Sequence, residues 1–330
     1  MKKAMVTGAA GFIGSHVAAD LLAEGVEVRA MVRPDEPTKS LDGLDVEIVK
    51  ADLLDKAAVN RAVKGTDTVF HLAAIYATWL PDWSRIYEVN LQGSRNVLWS
   101  CLNNDVDKVV YTSSIAAIGT RPGKQVANES TPFDAYDMGS HYVLTKYLSQ
   151  QEALGFAENG LDLTVVNPAF PFGDNDTVPT PTGRIIVDIL RGNTRFSFRG
   201  GLCVVDVKDV ARGHVLAAKK GGRGEKYILG NANLTLAEFI KKVQRIAGVE
   251  SRILPAVPVP ALKALAYGLS LYADCVSHSA PLSTPPDVEF ASRHLFYDNT
   301  RARDELGLEF TPVEESIERS IRWFRDNGYA

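Results

Sequence analysis

The first two-thirds of the sequence alternates short runs rich in β-branched residues with longer helical patterns, and this alternation limits the chain to few folds. The patterns predict six strands, at Ala4–Thr7, Val26–Val32, Val46–Val49, Thr68–His71, Lys108–Thr112 and Leu163–Val166. Helices are predicted between them, at Phe12–Ala23, Lys56–Val63, Trp83–Leu102 and Met138–Glu158. Strands separated by helices form a parallel sheet through right-handed crossovers. We therefore expect an α/β fold with a Rossmann-type, doubly wound parallel sheet.

After Pro168 the alternation gives way to proline- and glycine-rich stretches with irregular elements between them. Strand-like runs begin at Phe196 and Lys226, and helical patterns cover Arg184–Leu190, Val207–Ala218, Leu236–Ile246 and Val313–Asn327. We expect residues 1–170 to form a dinucleotide-binding domain to which residues 203–230 return. Residues 171–202 and 231–330 then form a smaller, irregular C-terminal substrate lobe over the carboxyl edge of the sheet, where open α/β sheets bind ligands.

Charge and composition exclude several classes of partner. A formal net charge of -4 gives no electrostatic footprint for nucleic acid or for an acidic membrane surface, although it leaves room for local basic patches. The three cysteines are scattered without metal-ligand spacing, so we expect free thiols, no metal, and a reducing cytoplasmic location. The apolar stretch Val257–Val276 is broken by prolines and carries Lys263 and Asp274, which favours a core or surface-docking helix over a transmembrane segment.

A glycine-rich loop joins the first predicted strand to the first predicted helix. Its sequence is Thr7-Gly8-Ala9-Ala10-Gly11-Phe12-Ile13-Gly14. Gly8 permits a tight turn, Gly11 lets a pyrophosphate approach the backbone, and Gly14 lets the helix pack closely on the strand. The amino terminus of the helix favours the anion. With Thr7 in front, this Gly-x-x-Gly-x-x-Gly spacing resembles that of the extended short-chain dehydrogenase/reductase superfamily.

The end of the second strand bears on which nicotinamide cofactor is used. A carboxylate that holds the adenosine ribose usually stands there, but this strand ends Ala30-Met31-Val32-Arg33. Arg33, with Lys39 from the following loop, is suited to bind a 2'-phosphate, which favours NADP over NAD. The alternative is that Arg33 is a solvated surface charge.

The pair Tyr142 and Lys146 is the strongest chemical signal in the sequence. Residues four apart lie on one face of a helix, so the ammonium group can sit near the phenol. An unperturbed tyrosine titrates near pH 10, which is too high for easy proton transfer at neutral pH. We therefore expect the Lys146 cation to lower the pKa of Tyr142 and to make it a general acid–base group.

Ser114 supplies the third member of this predicted catalytic set. The fifth strand ends Val109-Val110-Tyr111-Thr112-Ser113-Ser114, with hydroxyl groups at its carboxyl edge. In the superfamily that the chain resembles, a serine or threonine at this place hydrogen-bonds the substrate oxygen. Its distance from Gly119 assigns that role to Ser114 and a supporting role to Ser113.

The same resemblance implies further contacts to the cofactor. It extends to Asp52-Leu53 as the adenine-binding pair, to Leu72-Ala73-Ala74 under the cofactor, to Asn90 as a brace of the site, to Thr112, and to Pro168-Ala169-Phe170 against the nicotinamide. Three of these have plainer interpretations: Asp52 as a helix cap, Asn90 as a buried structural amide, and Asn167-Pro168 as a turn. His71 fits a structural strand-end residue better than a catalytic base.

Within the superfamily the chain is similar to bacterial dihydroflavonol-4-reductase-like proteins, including those called hopanoid-associated sugar epimerases. The similarity lies in His71-Leu-Ala-Ala74, in Val110-Tyr-Thr-Ser-Ser114 and in Pro179-Thr-Pro-Thr-Gly-Arg-Ile-Ile186. One departure concerns the substrate. Nucleotide-sugar epimerases usually carry an arginine for the diphosphate at the place that falls on Leu202 here, although Arg184 or Arg199 could substitute.

These observations leave three functional hypotheses. The first is an NADP-dependent carbonyl reductase or alcohol dehydrogenase. The second is a sugar epimerase or dehydratase that regenerates its cofactor at each turnover, and the third is a cofactor-sensing protein without turnover. Aromatic and apolar residues indicate a small hydrophobic substrate, held by Ile75, Tyr76, Trp79, Ser114, Phe170, Thr180 and Arg184. The resemblance also implies a homodimer paired through the helices Trp83–Leu102 and Met138–Glu158.

Overall fold

A computed structural model describes residues 1–194, 196–249 and 255–330. Its strands are β1 Lys3–Thr7, β2 Glu27–Val32, β3 Val46–Lys50, β4 Thr68–His71, β5 Lys108–Thr112, β6 Leu163–Pro168, β7 Phe170–Phe172, β8 Gly201–Asp206, β9 Lys226–Leu229 and β10 Ala232–Thr235. Seven of them form one parallel sheet in the order β3-β2-β1-β4-β5-β6-β9. The order reverses between β1 and β4, so the predicted doubly wound fold is confirmed.

The α-helices are α1 Phe12–Ala23, α2 Lys56–Val63, α3 Ser84–Tyr87, α4 Ser94–Asn103, α5 His141–Glu158, α6 Pro181–Leu190, α7 Val207–Lys220, α8 Leu236–Ala247, α9 Val259–Tyr272, α10 Pro285–Ser292, α11 Thr300–Asp304 and α12 Val313–Asp326. The large sheet is buried on both faces except at its edge strand β3, whose residues are exposed or half-buried. Alternate residues of β1 show this: Ala4 and Val6 pack with α1 and α7, whereas Met5 packs with α2 and α4. Among the described residues no helix is long and apolar enough to cross a membrane.

A second, three-stranded sheet lies outside the large one, in the order β10-β8-β7. Strand β8 runs antiparallel to β10 and parallel to β7. Helices α6, α8 and α12 close a separate apolar core over this sheet. The strand that we predicted to begin at Phe196 begins at Gly201 instead, because residues before it form only an isolated bridge from Ser197 to Ala256.

Two predicted helices differ in their details. The predicted helix Trp83–Leu102 is divided into α3, a π-helical turn at Glu88–Gly93, and α4. The predicted helix Met138–Glu158 begins later, at His141, because Gly139 adopts a left-handed φ of 75° and Ser140 caps the helix through the Val143 amide. The later start places Tyr142 in the first turn of α5.

Candidate active site

The glycine loop forms a turn with almost no room for side chains. Gly8 has a φ of 65°, and a Cβ atom there would lie 3.0 Å from the backbone of Ala73. A Cβ atom at Gly14 would lie 2.1 Å from the carbonyl oxygen of Gly8, so a side chain at this position would force the loop and α1 apart. The glycines therefore allow β1, β4 and α1 to converge on one surface of exposed backbone.

The amino terminus of α1 opens onto that surface. Gly11 caps the helix without a side-chain hydrogen bond, and the first turn holds no acidic residue. The first amides of a helix have no partner within it, so those of Phe12, Ile13 and Gly14 remain available to an anion. The loop and the helix terminus together fit a pyrophosphate.

Thr7 ties the glycine loop to the end of β4. Its hydroxyl oxygen accepts hydrogen bonds from the amides of Leu72 and Ala73, both at 3.1 Å, and lies 2.8 Å from Nδ1 of His71. The other ring nitrogen of His71 lies 3.0 Å from Ser94 Oγ. Burial, helped by the charge of Lys146, lowers the pKa of His71 to about 3. His71 is therefore a neutral, fully hydrogen-bonded residue, in agreement with its structural interpretation.

At the predicted adenosine end of the site, β2 is followed directly by a cation, Arg33, and the Glu36 carboxylate accepts a hydrogen bond of 3.1 Å from the Arg33 amide. Arg33 follows β2 with 72% of its side chain exposed, and its guanidinium group lies 3.8 Å from the carboxylate of Glu36. Lys39 is exposed in a short 3-10 turn, and the neighbouring Ser40 donates a hydrogen bond of 2.7 Å to the carbonyl of Ala10. The loop carrying both cations thus contacts the glycine loop.

Asp52 and Leu53 follow β3. The Asp52 carboxylate accepts a hydrogen bond from the Leu54 amide and lies 3.4 Å from Arg85. Asp55, and not Asp52, caps α2. Leu53 is buried, and a Cβ atom on Gly93 would lie 2.9 Å from it, which fixes how closely the π-helical turn packs here.

Asn90 lies inside the π-helical turn and braces the chain after β4. Its side-chain oxygen accepts a hydrogen bond of 2.7 Å from the Ile75 amide, and its nitrogen donates to the Ile75 carbonyl at 3.0 Å. The same nitrogen donates to the hydroxyl of Thr145 on α5 at 3.3 Å. Asn90 therefore holds the end of the Leu72–Ile75 segment against α5.

Lys146 is a buried cation without a carboxylate partner among the described residues. Its side chain is 4% exposed, and its Nζ atom donates a hydrogen bond of 2.9 Å to the carbonyl of Thr112 at the end of β5. Burial lowers the pKa of Lys146 to about 8. The ammonium group therefore places a positive charge in a site of low polarity at neutral pH.

Tyr142 lies one helical turn before Lys146 and departs from our expectation for its pKa. Burial raises the pKa of Tyr142 to about 12, although a hydrogen bond with Ser114 opposes the shift. The predicted lowering by Lys146 was wrong, because Lys146 is directed to the Thr112 carbonyl and desolvation of the phenol dominates. Tyr142 is therefore protonated at neutral pH.

Ser114 caps a 3-10 turn directly after β5. Its hydroxyl oxygen accepts a hydrogen bond of 3.1 Å from the Ala116 amide and also meets the Tyr142 hydroxyl. The adjacent Ser113 hydroxyl and the side-chain oxygen of Asn167 are buried without a partner among the described residues. The Ser113 hydroxyl and the Asn167 side-chain oxygen thus lie at the carboxyl ends of β5 and β6, where a ligand could form hydrogen bonds with them.

Gln150 and Asn167 form a contact that sequence reasoning missed. The Asn167 side-chain nitrogen donates to the Ser114 carbonyl at 2.8 Å and to the Gln150 side-chain oxygen at 2.7 Å. Gln150 follows Lys146 by one turn on the same face of α5. The spacing of Tyr142, Lys146 and Gln150 could have revealed this third position.

The predicted substrate residues divide into two groups. Tyr76 packs edge-to-face on Tyr142 with 4.5 Å between ring centroids. Trp79 donates a hydrogen bond of 2.9 Å to Asp274 and lines a cavity of about 190 Å³ with Trp83 and His141. Ile75 is held by Asn90. Sequence reasoning missed Ser270 of α9 and Pro285–Asp287 of α10, which line the same cavity as Trp79.

Thr180, Arg184 and Phe170 have structural contacts of their own. The Thr180 hydroxyl caps α6 and bonds the buried carboxylate of Asp176, so it serves the local fold. Arg184 is exposed and donates to the carbonyl of Pro179 at 3.0 Å. Phe170 is half-buried in β7 and packs against the apolar cores on either side.

The place expected for a diphosphate-binding arginine holds no cation. Leu202 lies in β8, is 7% exposed and packs in the core of the second sheet. Arg199 stands three residues earlier and lines a different cavity, together with Arg121 and Arg293.

The chain is similar to known proteins in both sequence and structure. The family model described as "NAD dependent epimerase/dehydratase family" matches residues 4–230. A Synechocystis protein that carries the name dihydroflavonol 4-reductase is 34% identical, over 98% of this chain and 95% of its own length. "Sterol demethylase protein B" of Methylococcus capsulatus is 31% identical, over 98% of both chains. The solved structure titled "Crystal structure of gox2253" is 35% identical with a TM-score of 0.88, and the match covers 100% of this chain and 99% of that one.

Proposed function

The chain belongs to the NAD-dependent epimerase/dehydratase family, and we propose that it is an NADP(H)-dependent reductase of hydrophobic carbonyl compounds. It is an enzyme, an NAD(P)-dependent oxidoreductase of the extended short-chain dehydrogenase/reductase type with similarity to dihydroflavonol 4-reductases. This sets aside the hypothesis of a cofactor-sensing protein without turnover. The finer statements, on cofactor preference, catalytic residues and substrate, are argued below.

The residues present fit a nicotinamide dinucleotide. The glycine cradle, where added Cβ atoms would collide, leaves backbone open to the pyrophosphate beside an uncapped helix terminus. The unpartnered Ser113 and Asn167 atoms lie at the carboxyl ends of β5 and β6. When bound, the cofactor supplies a hydride donor or acceptor at nicotinamide C4. We propose that Lys146 holds its ribose and that Pro168–Phe170 lie against the nicotinamide.

The observation that carries the proposed chemistry is a protonated Tyr142 close to Ser114, with the buried Lys146 cation one helical turn away on the same helix. Burial keeps the pKa of Tyr142 well above neutral, so its hydroxyl holds a proton when the substrate binds. Tyr142 donates this proton as hydride addition makes the carbonyl oxygen strongly basic. Ser114 orients that oxygen. We propose that the Lys146 charge, one helical turn away in the same buried site, stabilises the tyrosinate that remains until Tyr142 regains a proton from solvent, although burial dominates the pKa of Tyr142 before the reaction.

In the reduction, the carbonyl carbon gains a hydride while its oxygen gains the Tyr142 proton, and a secondary alcohol leaves. Tyr76 and Trp79 supply an aromatic wall next to Tyr142, which supports a hydrophobic substrate. We retain the division into a cofactor-binding part, 1–170 with 203–230, and a substrate part, 171–202 and 231–330, as a proposal. Strand β8 lies in the small sheet, at the boundary between the two.

Transfer of deuterium tests the proposed reaction. NADPH deuterated at C4 would be incubated with a panel of aromatic and aliphatic ketones and aldehydes, and the products analysed by mass spectrometry. We expect one deuterium per alcohol formed and one NADP⁺ per alcohol. If no labelled alcohol formed, and sugars were interconverted with no net change in the amount of NADPH or of NADP⁺, the second hypothesis, a sugar epimerase or dehydratase, would replace the first.

Nucleotide sugars are predicted to bind poorly, because Leu202 occupies the place of the diphosphate-binding arginine. Leaving diphosphate oxygens without their charged partner costs about 1–3 kcal/mol, or roughly ten- to a hundredfold in affinity. Calorimetry of the NADP-loaded protein with UDP and several UDP-hexoses measures this. Micromolar binding would instead favour the epimerase, with Arg184 or Arg199 as the replacement contact.

NADPH is predicted to bind more tightly than NADH, with Arg33 as the discriminating residue. A charged hydrogen bond to a phosphate contributes about 1.5–3 kcal/mol, and the 72% exposure of Arg33 and its neighbour Glu36 place the effect at the lower end. Arg33→Ala should therefore weaken NADPH roughly tenfold and leave NADH unchanged. Arg61→Ala, another exposed arginine, is the matched control. Equal losses for both cofactors would mean that Arg33 stacks on the adenine and does not discriminate.

A further inference from the structure

Helix α9 has an apolar face that is exposed to solvent. On one side of the helix, Ala266 is buried at 2% exposure, and Ala273 just beyond its end at 1%. On the opposite side, uncharged residues recur at helical spacing, and all of them are exposed: Ala261, Ala264, Leu265, Gly268, Leu271, Tyr272 and Cys275. Leu265, Leu271 and Tyr272 are 60%, 49% and 58% exposed. The outward side of α9 thus carries large apolar residues among small ones, with no charge between them.

This face continues beyond the helix. Val276 in the π-helical turn that follows α9 is 62% exposed, and Leu282 in the next loop is 93% exposed. A soluble monomer seldom leaves so many neighbouring large apolar side chains uncovered, so a surface that covers them is expected. At 14 residues, α9 is too short to span a bilayer but long enough to lie on one.

A basic cavity begins where α9 begins. Val259, the first residue of the helix, lines a cavity of about 510 Å³ together with Arg121, Arg199 and Arg293. Arg293 is paired with Asp134 at 3.0 Å. Within the described part of the chain, Arg121 and Arg199 form no ion pair, although the whole protein carries a net charge of -4.

The carboxylates of that cavity are already neutralised. Asp134 accepts hydrogen bonds from Thr120 and Arg293, and Glu289 is paired with Lys263 of α9. Two guanidinium groups without a carboxylate partner among the described residues, those of Arg121 and Arg199, therefore line the cavity at the start of α9. Guanidinium groups bind phosphate oxygens in pairs, so the cavity suits a phosphate group.

We infer that the apolar face of α9 and the basic cavity at its start form one docking surface for a phospholipid bilayer. The apolar side chains would enter the acyl boundary, the Tyr272 ring would lie at the headgroup level, and the arginines would meet lipid phosphates. A second copy of the chain fits less well. A two-fold contact through this face would pair apolar residues but would leave both arginine clusters without an anionic partner.

The docking surface adjoins the candidate active site. Ser270 and Asp274, toward the end of α9, line the cavity that also holds Trp79 and His141, and His141 directly precedes Tyr142. A bilayer on this surface would lie beside the proposed entrance for a hydrophobic substrate. The docking itself does not depend on the proposed reaction.

Vesicle flotation tests the inference on the full-length chain. Vesicles of phosphatidylcholine alone, and of equal parts phosphatidylcholine and phosphatidylglycerol, would be mixed with wild type, the double variant Leu265→Ser/Leu271→Ser, and Arg199→Ser. Trp99→Ser on α4 is the matched control, since Trp99 is 49% exposed and lies away from this surface. Thermal melting and NADPH binding establish that each variant is folded.

We expect wild type to float with both vesicles, and more with the anionic ones. The partition coefficient of the double variant should fall roughly tenfold or more on both kinds of vesicle, because the two leucine side chains that would enter the bilayer are gone. Arg199→Ser should lose about fivefold on anionic vesicles only, and this difference should vanish at high salt. No flotation of wild type, or an equal loss in Trp99→Ser, would overturn the inference. So would a dimer of the free protein that the double variant converts to monomer without any change in flotation, since the occupant would then be a second copy.

Discussion

Replacing Tyr142 by phenylalanine should lower kcat by about 10²- to 10⁴-fold while the dissociation constant for NADPH stays close to that of wild type. The phenylalanine ring keeps the packing on Tyr76 but removes the hydroxyl that meets Ser114. Only the proton donor is lost. Steady-state kinetics on a substrate found with the carbonyl panel, together with fluorescence titration of NADPH, measures both quantities.

Tyr147→Phe is the matched control for this substitution. Tyr147 lies on the same helix, but its hydroxyl accepts a hydrogen bond from Tyr136 and not from any residue of the proposed catalytic set. Its loss should change kcat by less than about threefold, since an exposed hydrogen bond contributes little. A Tyr142→Phe variant that kept half of the wild-type rate would contradict the assignment of Tyr142.

Lys146→Met should also lower kcat by about 10²- to 10⁴-fold, and it should remove a pH dependence that wild type shows. The pKa of Lys146 is lowered to about 8, so its ammonium group is charged below pH 8 and loses its proton above it. Reduction by wild type should therefore decline as the pH rises through about 8. The Tyr142 proton does not limit this range, because the pKa of Tyr142 is about 12.

The pH profile separates the role of the Lys146 charge from that of its packing. In Lys146→Met the low residual rate should be flat through pH 8, and binding of NADPH should weaken if Lys146 also holds the ribose. Lys108→Met is a suitable control, because the Lys108 ammonium group is also partly buried but bonds Asp162 and the Gly221 carbonyl away from the site. A wild-type profile that rises through pH 8 would contradict the proposed role of the ammonium charge.

The strands of the large sheet and most of its helices follow from local patterns, because a strand buried on both faces must be apolar along its length. The roles of Gly8 and Gly14 could also be predicted from the sequence. The collisions that a side chain would cause at these positions arise between residues close in sequence or on adjacent strands. The spacing of Tyr142 and Lys146 also survives, since both lie on one helix.

Long-range contacts account for what the sequence did not reveal. The pKa of Tyr142 depends on burial by residues from distant elements, so helical spacing alone predicted the wrong direction. The bond from Asn167 to Gln150 joins β6 to α5, and the side chain of Asn90 acts through the backbone of Ile75. Helical spacing marks the position of Gln150, and the family resemblance marks Asn90, but neither identifies the partner across the fold. Strand β8 likewise begins later than predicted, at Gly201, where its pairing with Thr235 of β10 begins.

The exposed face of α9 was foreseen only in part. The composition of Val257–Val276 favoured a core or surface-docking helix over a membrane span, and the structure places large apolar residues of this stretch on the outside. Which side of an apolar helix is buried depends on its neighbours, here the contacts of Ala266 and of Lys263 with Glu289. Hydrophobic periodicity could not supply that information.

Exchange of the bound nucleotide tests the central claim of net NADP(H)-dependent reduction most directly, because it requires no knowledge of the substrate. Purified protein would be dialysed, denatured, and the released nucleotide identified and quantified by chromatography. We predict that no nucleotide remains after dialysis, and that added NADPH binds again and leaves again, since a reductase must exchange its cofactor at each turnover. NAD retained in a one-to-one ratio through dialysis would contradict the account and favour a catalytic cycle in which the cofactor never leaves.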